Sequence, residues 1–184
     1  MVESAGDTAD GYILTPTDTD IYTAVRAWLL SILPGSIRVV KGQTNRSAPP
    51  SGSFIAMTLI GRERIATNGT EYTDTQRIIT EQVKRTMQLD LFGSTSGDMM
   101  QVVTALWRDF QASDYFRNSG GILSPLYTSS VRQLGFINGA KQYEDCWSVD
   151  LAFQTTQKIS IPQQFADTLS IDLIEVDTTY PPQE

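Results

Sequence analysis

Any chemistry in this chain would have to come from carboxylates or a single thiol. The sequence holds no histidine, which removes the Ser–His and Cys–His nucleophile pairs and the HExxH zinc site. Cys146 is the one cysteine, so a transition metal would lack its common ligands. Glu144 and Asp145 form the pair that could serve as acid and base or hold a divalent cation. Neighbours on a strand point to opposite faces, however, so the two read as strand-start charges facing solvent or a partner. Asp172, Glu175 and Asp177 have no catalytic spacing and fit a wet strand edge. Cys146 lies in an alternating segment without the local positive charge that a reactive thiolate needs, and reads as a small core or sheet-face residue. Neither GxxxxGK(S/T) nor GxGxxG occurs, and Gly120-Gly121 reads as a turn rather than an anion nest. The expectation is no catalytic residue, no cofactor, no metal site and no enzyme.

The elements that would carry these residues are easier to read. From Glu81 to Phe92, Val83, Arg85, Met87, Leu89 and Leu91 alternate with polar neighbours, the period of a strand with one buried face. Phe92-Gly93 ends it. A helix is expected over about 97–111, capped by Ser94 or Ser96, with Met99, Val102, Val103, Leu106, Trp107 and Phe110 as its apolar stripe. Residues 112–118 read as its helical end. An earlier helix, about 20–33, starts at Thr17 or Asp18, repeats Ile21, Val25, Trp28 and Ile32, and stops at Pro34-Gly35. It is apolar over more than half its circumference and is expected to be buried between a sheet and something else. Ser36–Lys41 reads as a short strand, and Ser53–Ile60, apolar on both faces, as a central one. Arg62 to Arg77 is too polar for core and reads as an arm projecting from the sheet, with a hairpin turn at Asn68-Gly69. Residues 122–134 show no clear period and read as a long ordered loop or one that contains a short edge strand. Asn138-Gly139 is a second turn signal, and Asp145–Gln154 the cleanest alternation in the chain. One helical turn over 163–169 and a last strand over 171–176 complete the reading.

Bulk properties bound the class. At 184 residues, 40% hydrophobic and 19% charged, the chain suits one globular domain. The expected division is a flexible segment 1–16, a domain 17–177 and a tail 178–184. Fourteen basic residues against twenty-one acidic give a net charge of −7, a poor basis for gripping phosphate backbones. No apolar run approaches the roughly 20 residues that cross a bilayer, and the N-terminus does not read as a signal peptide. These observations together imply an α+β fold, a single antiparallel or mixed sheet with two main helices packed on it.

Several phrases recur here as a set. They are Arg62-Glu63-Arg64-Ile65-Ala66-Thr67-Asn68, Leu91-Phe92-Gly93 through Gly97-Asp98, and Leu126-Tyr127 with Arg132-Gln133-Leu134. Ile137-Asn138-Gly139 leading to Gln142-Tyr143-Glu144-Asp145-Cys146-Trp147, and Phe165-Ala166-Asp167, complete it. In this order, over roughly Asp20 to Asp177, the chain resembles the neck or tail terminator proteins of tailed bacteriophages. It departs from the commoner form of the family at Cys146, where Arg is usual.

The resemblance implies a structural virion protein of tail-terminator-like fold, assembled in the host bacterial cytoplasm and residing in the neck or tail. Such proteins form a closed homo-oligomeric ring, generally six-fold, that caps the tail tube and docks to the head-side connector or adaptor. Genomic DNA passes through the lumen without specific binding, and no membrane is involved. A ring closed by heterologous contacts needs a projection on one side and a receiving face on the other, which suits the polar arm. Arg62, Glu63, Arg64, Ile65, Thr67, Asn68 and Tyr72, with Tyr127, Arg132, Tyr143 and Glu144, are the candidate contacts to a neighbouring subunit or the tail tube. The alternatives are another head-tail connector or tube-like ring protein, and a carboxylate-dependent enzyme or small-ligand module.

Overall fold

The computed structural model describes residues 8–9, 11–43, 50–137 and 143–163. The second turn signal at Asn138-Gly139, the helical turn and last strand beyond Gln163, and the terminal tail lie outside these residues.

Two long antiparallel strands form the spine: β6 (Gln76–Phe92) and β9 (Tyr143–Pro162). They stay in continuous register from Gln76 opposite Pro162 to Phe92 opposite Cys146. Along the free edge of β9 run, in succession, β8 (Arg132–Ile137), β7 (Ser124–Thr128) and β2 (Tyr12–Thr15), with β1 (Thr8–Ala9) outside β2. The segment expected to be flexible therefore contributes two strands. Along the free edge of β6 run β4 (Phe54–Arg64) and then β5 (Gly69–Tyr72). β3 (Arg38–Lys41) pairs parallel with β4, so the sheet, nine strands among the described residues, is mixed. The α+β class read from the sequence is the one observed.

Among the described residues three helices cover one face. α1 (Asp18–Ile32) begins at Thr17, which accepts from the Asp20 amide at 3.2 Å while its own amide donates to the Asp20 carboxylate at 2.8 Å, a capping box. α2 (Ser96–Trp107) and α3 (Phe110–Asn118) replace the single helix expected over 97–111. The chain breaks at Arg108–Asp109, and the Asp109 carboxylate accepts from the Gln111 amide at 2.9 Å to cap α3. The buried stripe also differs from the expected one: Met99, Met100, Val103 and Trp107 of α2 are buried, whereas Val102, and Phe110 at the start of α3, face outward. Nor does a serine cap α2. Thr95 holds that position without a side-chain bond. Gly93 makes the turn into the helix with φ 115°, and a Cβ there would lie 2.2 Å from Ser53 Oγ.

The core lies between this helical layer and one face of the sheet. Ile55 and Met57 of β4, Met87, Leu89 and Leu91 of β6, and Val149, Leu151 and Phe153 of β9 meet Ile21, Val25, Trp28 and Leu29 of α1 and the buried residues of α2 and α3. At its centre Trp28, Trp107, Phe116 and Phe153 pack edge to face or tilted, with centroids 5.1–6.1 Å apart. Both indoles are satisfied: Trp28 Nε1 donates to Gln111 Oε1 at 3.1 Å and Trp107 Nε1 to the Ala152 carbonyl at 3.2 Å. Among the described residues no helix lies on the opposite sheet face. There Phe54 stacks on Phe92 and Ile60 is half exposed, so the β4 segment expected to be apolar on two buried faces has only one.

Candidate functional site

β6 and β9 outrun the helices, and that overhang is the arm. Val83 is the last fully buried residue of β6 towards its start; none from Gln76 to Gln82 is buried. β4, β5 and β2 flank the overhang, so it is a multi-stranded extension of the sheet rather than a loop. The expected turn at Asn68-Gly69 is not the hairpin turn. Those residues join β4 to β5, which lie end to end on the same side of β6. The chain reverses at Thr73–Thr75, where the Thr73 amide and hydroxyl both donate to the Gln76 carbonyl. Register along a long partner strand decided this, and no local dipeptide signals it.

A bulge between Leu59 and Gly61 shifts β4 by one residue and decides which arm side chains face which way. Beyond it Arg62 stands opposite Arg85 and Arg64 opposite Val83, on the helix side, while Glu63 stands opposite Lys84 on the open side. Arg62 pairs with Asp18 at the start of α1. Arg85 is fully buried, its guanidinium donating to Asp18 Oδ1 at 2.8 Å and to Thr155 Oγ1 at 3.1 Å. Asp18 thus ties the first turn of α1 to both β4 and β6, and without it a buried cation would be left unpaired. On the open side the Glu63 carboxylate, hydrogen-bonded to Lys84, raises the lysine above its ordinary value; desolvation opposes this and Tyr127 adds to it.

The remaining candidates divide between places. Ile65, Thr67 and Asn68 are exposed on the β4–β5 link, and Tyr72 is 61% exposed on β5. Tyr127, half exposed, lies midway along the sheet, and Arg132 donates to Asp150 at 3.3 Å on the β8 edge. Tyr143, 85% exposed, and Glu144 begin β9 at the end away from the arm. Fourteen residues separate Tyr143 from Gln157, about 45 Å of strand. The candidates therefore form an arm patch and a distal patch, not one surface. Beside the distal patch is a groove of about 490 Å³ lined by Gly93, Ser94, Gln133, Leu134, Tyr143 and Asp145 among others. Among the described residues no group of three or more His, Cys, Asp and Glu is placed to hold a metal ion.

Cys146, between Phe92 of β6 and Leu134 of β8, is buried, and its thiol is pushed up to about 11, first by burial and then by the nearby Asp90 and Glu144 carboxylates. A thiol so placed is held as the neutral acid rather than as a nucleophile. Three residues of this region went unnoticed as site residues from sequence: Asp18, Arg77 and Arg85. Arg85 carried a signal, since it stands in the buried phase of an otherwise apolar alternation.

A family model described as phage neck terminator protein matches residues 19–183. No curated protein matches the sequence. Among solved structures, the sheath/tube terminator of an extracellular contractile injection system (PVC, extended state, by cryo-electron microscopy) is similar at 14% identity with a TM-score of 0.44. The similarity covers 92% of this chain and 66% of that one.

Proposed function

The chain belongs to the phage neck terminator family, and on that premise we propose that it is a structural, non-catalytic component of a phage tail that assembles into a closed ring. In this reading the ring, generally six-fold in such proteins, caps the head-proximal end of the tail tube and presents the surface to which the head-side connector docks. Genomic DNA traverses the lumen without specific binding, and assembly takes place in the host cytoplasm. The observation that carries the reading is the family match over nearly the whole domain, arm included. The geometry supports it in one respect. An arm with exposed polar and aromatic residues at one end, and a separate exposed patch at the other, supply the two unlike surfaces that a head-to-tail ring contact requires.

The test is twofold. The purified chain, measured by mass photometry and imaged by electron microscopy, is expected to give closed rings. Phage lacking the chain are expected to make tails of uncontrolled length that do not join heads, with both defects restored by supplying it. A chain that stays monomeric at all concentrations and binds neither tail tube nor connector would overturn the proposal. Rings that bind only the head-side partner would make it a connector of another kind.

A further inference from the structure

The net charge of −7 is not spread over the fold. Of the twenty-one acidic residues, thirteen lie among the described residues, facing twelve of the fourteen basic ones, so the folded body is close to neutral. Five acidic residues, Asp167, Asp172, Glu175, Asp177 and Glu184, follow Gln163, and no Lys or Arg accompanies them. The same stretch carries Ile171, Leu173, Ile174 and Val176 among its carboxylates. It is both acidic and apolar.

The helix-side face of the arm has the complementary character. Cross-strand register places Leu14, Ile159 and Ile79 in one row and Ile161, Arg77 and Tyr72 in the next, with Arg64 closer to the core, opposite Val83 and so beyond the row of Glu81 and Gln157. The isoleucines and Leu14 are half-buried and Tyr72 is exposed, more apolar surface than a solvated sheet overhang needs. Arg64 and Arg77 find no carboxylate within ion-pair distance among the described residues, while Arg62 is already matched by Asp18. Glu81 is the one carboxylate that β6 presents on this face.

We propose that this face receives the acidic C-terminal segment, residues 164–177, of a neighbouring copy, which lays its apolar side chains on the isoleucine rows and its carboxylates against Arg64 and Arg77. Direction of exit favours a neighbour. The Gln163 amide donates to the Thr75 carbonyl at 2.9 Å, so the chain leaves at the extreme tip of the arm, running outward along β9. Continuing outward carries it to another copy, whereas reaching its own arm requires a reversal at the tip. Fourteen residues extend to about 46 Å, enough to cross from one arm to the next and lie along it. The inference rests on the proposal that copies assemble, and it names what holds one copy to the next.

The experiment uses the full chain. Arg64→Glu with Arg77→Glu is expected to lower the apparent association constant of assembly by about tenfold or more, and Asp172→Lys with Glu175→Lys to do the same. Combining the two sets in one chain is expected to restore assembly, a recovery that misfolding would not produce. For the contact itself, chains carrying both Arg64→Lys and Arg77→Lys are grown with natural and heavy isotopes, mixed, assembled and cross-linked with a carbodiimide. Mass spectrometry is expected to find an introduced lysine, at position 64 or 77, joined to Asp172, Glu175 or Asp177 in mixed-isotope peptides. Same-isotope peptides alone would place the segment on its own arm and overturn the inference. So would rings unaffected by either charge reversal, although the ring proposal would then stand. A wild-type chain that does not assemble at all would defeat the ring proposal first and this one with it.

Discussion

Trp107 is the residue on which the core converges. It is 1% exposed, touches Trp28, Phe116 and Phe153, and its indole N–H closes onto the backbone of β9. Trp107→Ala removes ring area that no neighbour can replace and orphans the Ala152 carbonyl from a side-chain partner. Denaturant unfolding is expected to show a loss of about 3–5 kcal/mol. Cys146 gives a pH-dependent counterpart. Its thiol ionises near 9.0 when solvated and near 11 in the fold, so the folded state retains a proton that the unfolded state gives up first. The stability that this represents is complete below pH 9 and is lost as pH rises towards 11, up to about 2–3 kcal/mol. Urea titrations of wild type and Cys146→Ala should therefore show a gap between the two that is constant below pH 9 and shrinks by that amount at high pH. A gap independent of pH would mean that the thiol is solvated.

At the scale of elements, what the sequence made legible and what it hid have separate physical causes. Strand alternation in 81–92 and 145–154, the capping signal at Thr17 and the period of α1 are local, and each is where it was expected. The α2–α3 break turned on Asp109 choosing the N-cap of a new helix instead of the surface of an old one, a choice fixed by Phe116 reaching the aromatic cluster. β7 and β8 carry no readable period because they are edge strands whose partner, β9, does the alternating. The arm was legible as polar and projecting, but its turn was misplaced, and the bulge that sends Arg62 and Glu63 to opposite faces was invisible. The structure also sharpens the test of the arm. Arg64 stands opposite Val83, so replacing residues 65–82 by a two-residue Asn-Gly turn closes β4 directly onto β6. That chain is expected to remain a folded monomer by circular dichroism and cooperative melting, and to give no rings by mass photometry. Normal rings from it would remove the arm from assembly.

For the molecule as a whole, the near-neutral body alters how the acidic composition bears on DNA. In the proposed ring, repulsion between the lumen and passing DNA would act over only about 8 Å at physiological ionic strength, so the residues lining the channel would matter and the total charge would not. The full chain is expected to bind duplex DNA negligibly in a gel-shift titration at about 0.15 M salt, its sequence having no dense run of Lys and Arg to neutralise phosphates. Micromolar binding that weakens steeply with salt would point to a DNA-gripping connector instead. The paired β6 and β9 have a further, mechanical consequence. Their ladder runs unbroken from Gln76 to Phe92, and its hydrogen bonds lie across the strands. A pull that draws the arm and the distal patch apart acts along the strands, so it must shear every rung together instead of opening them one after another. A body built this way carries tension from one end to the other with little stretch, as a tie-rod does.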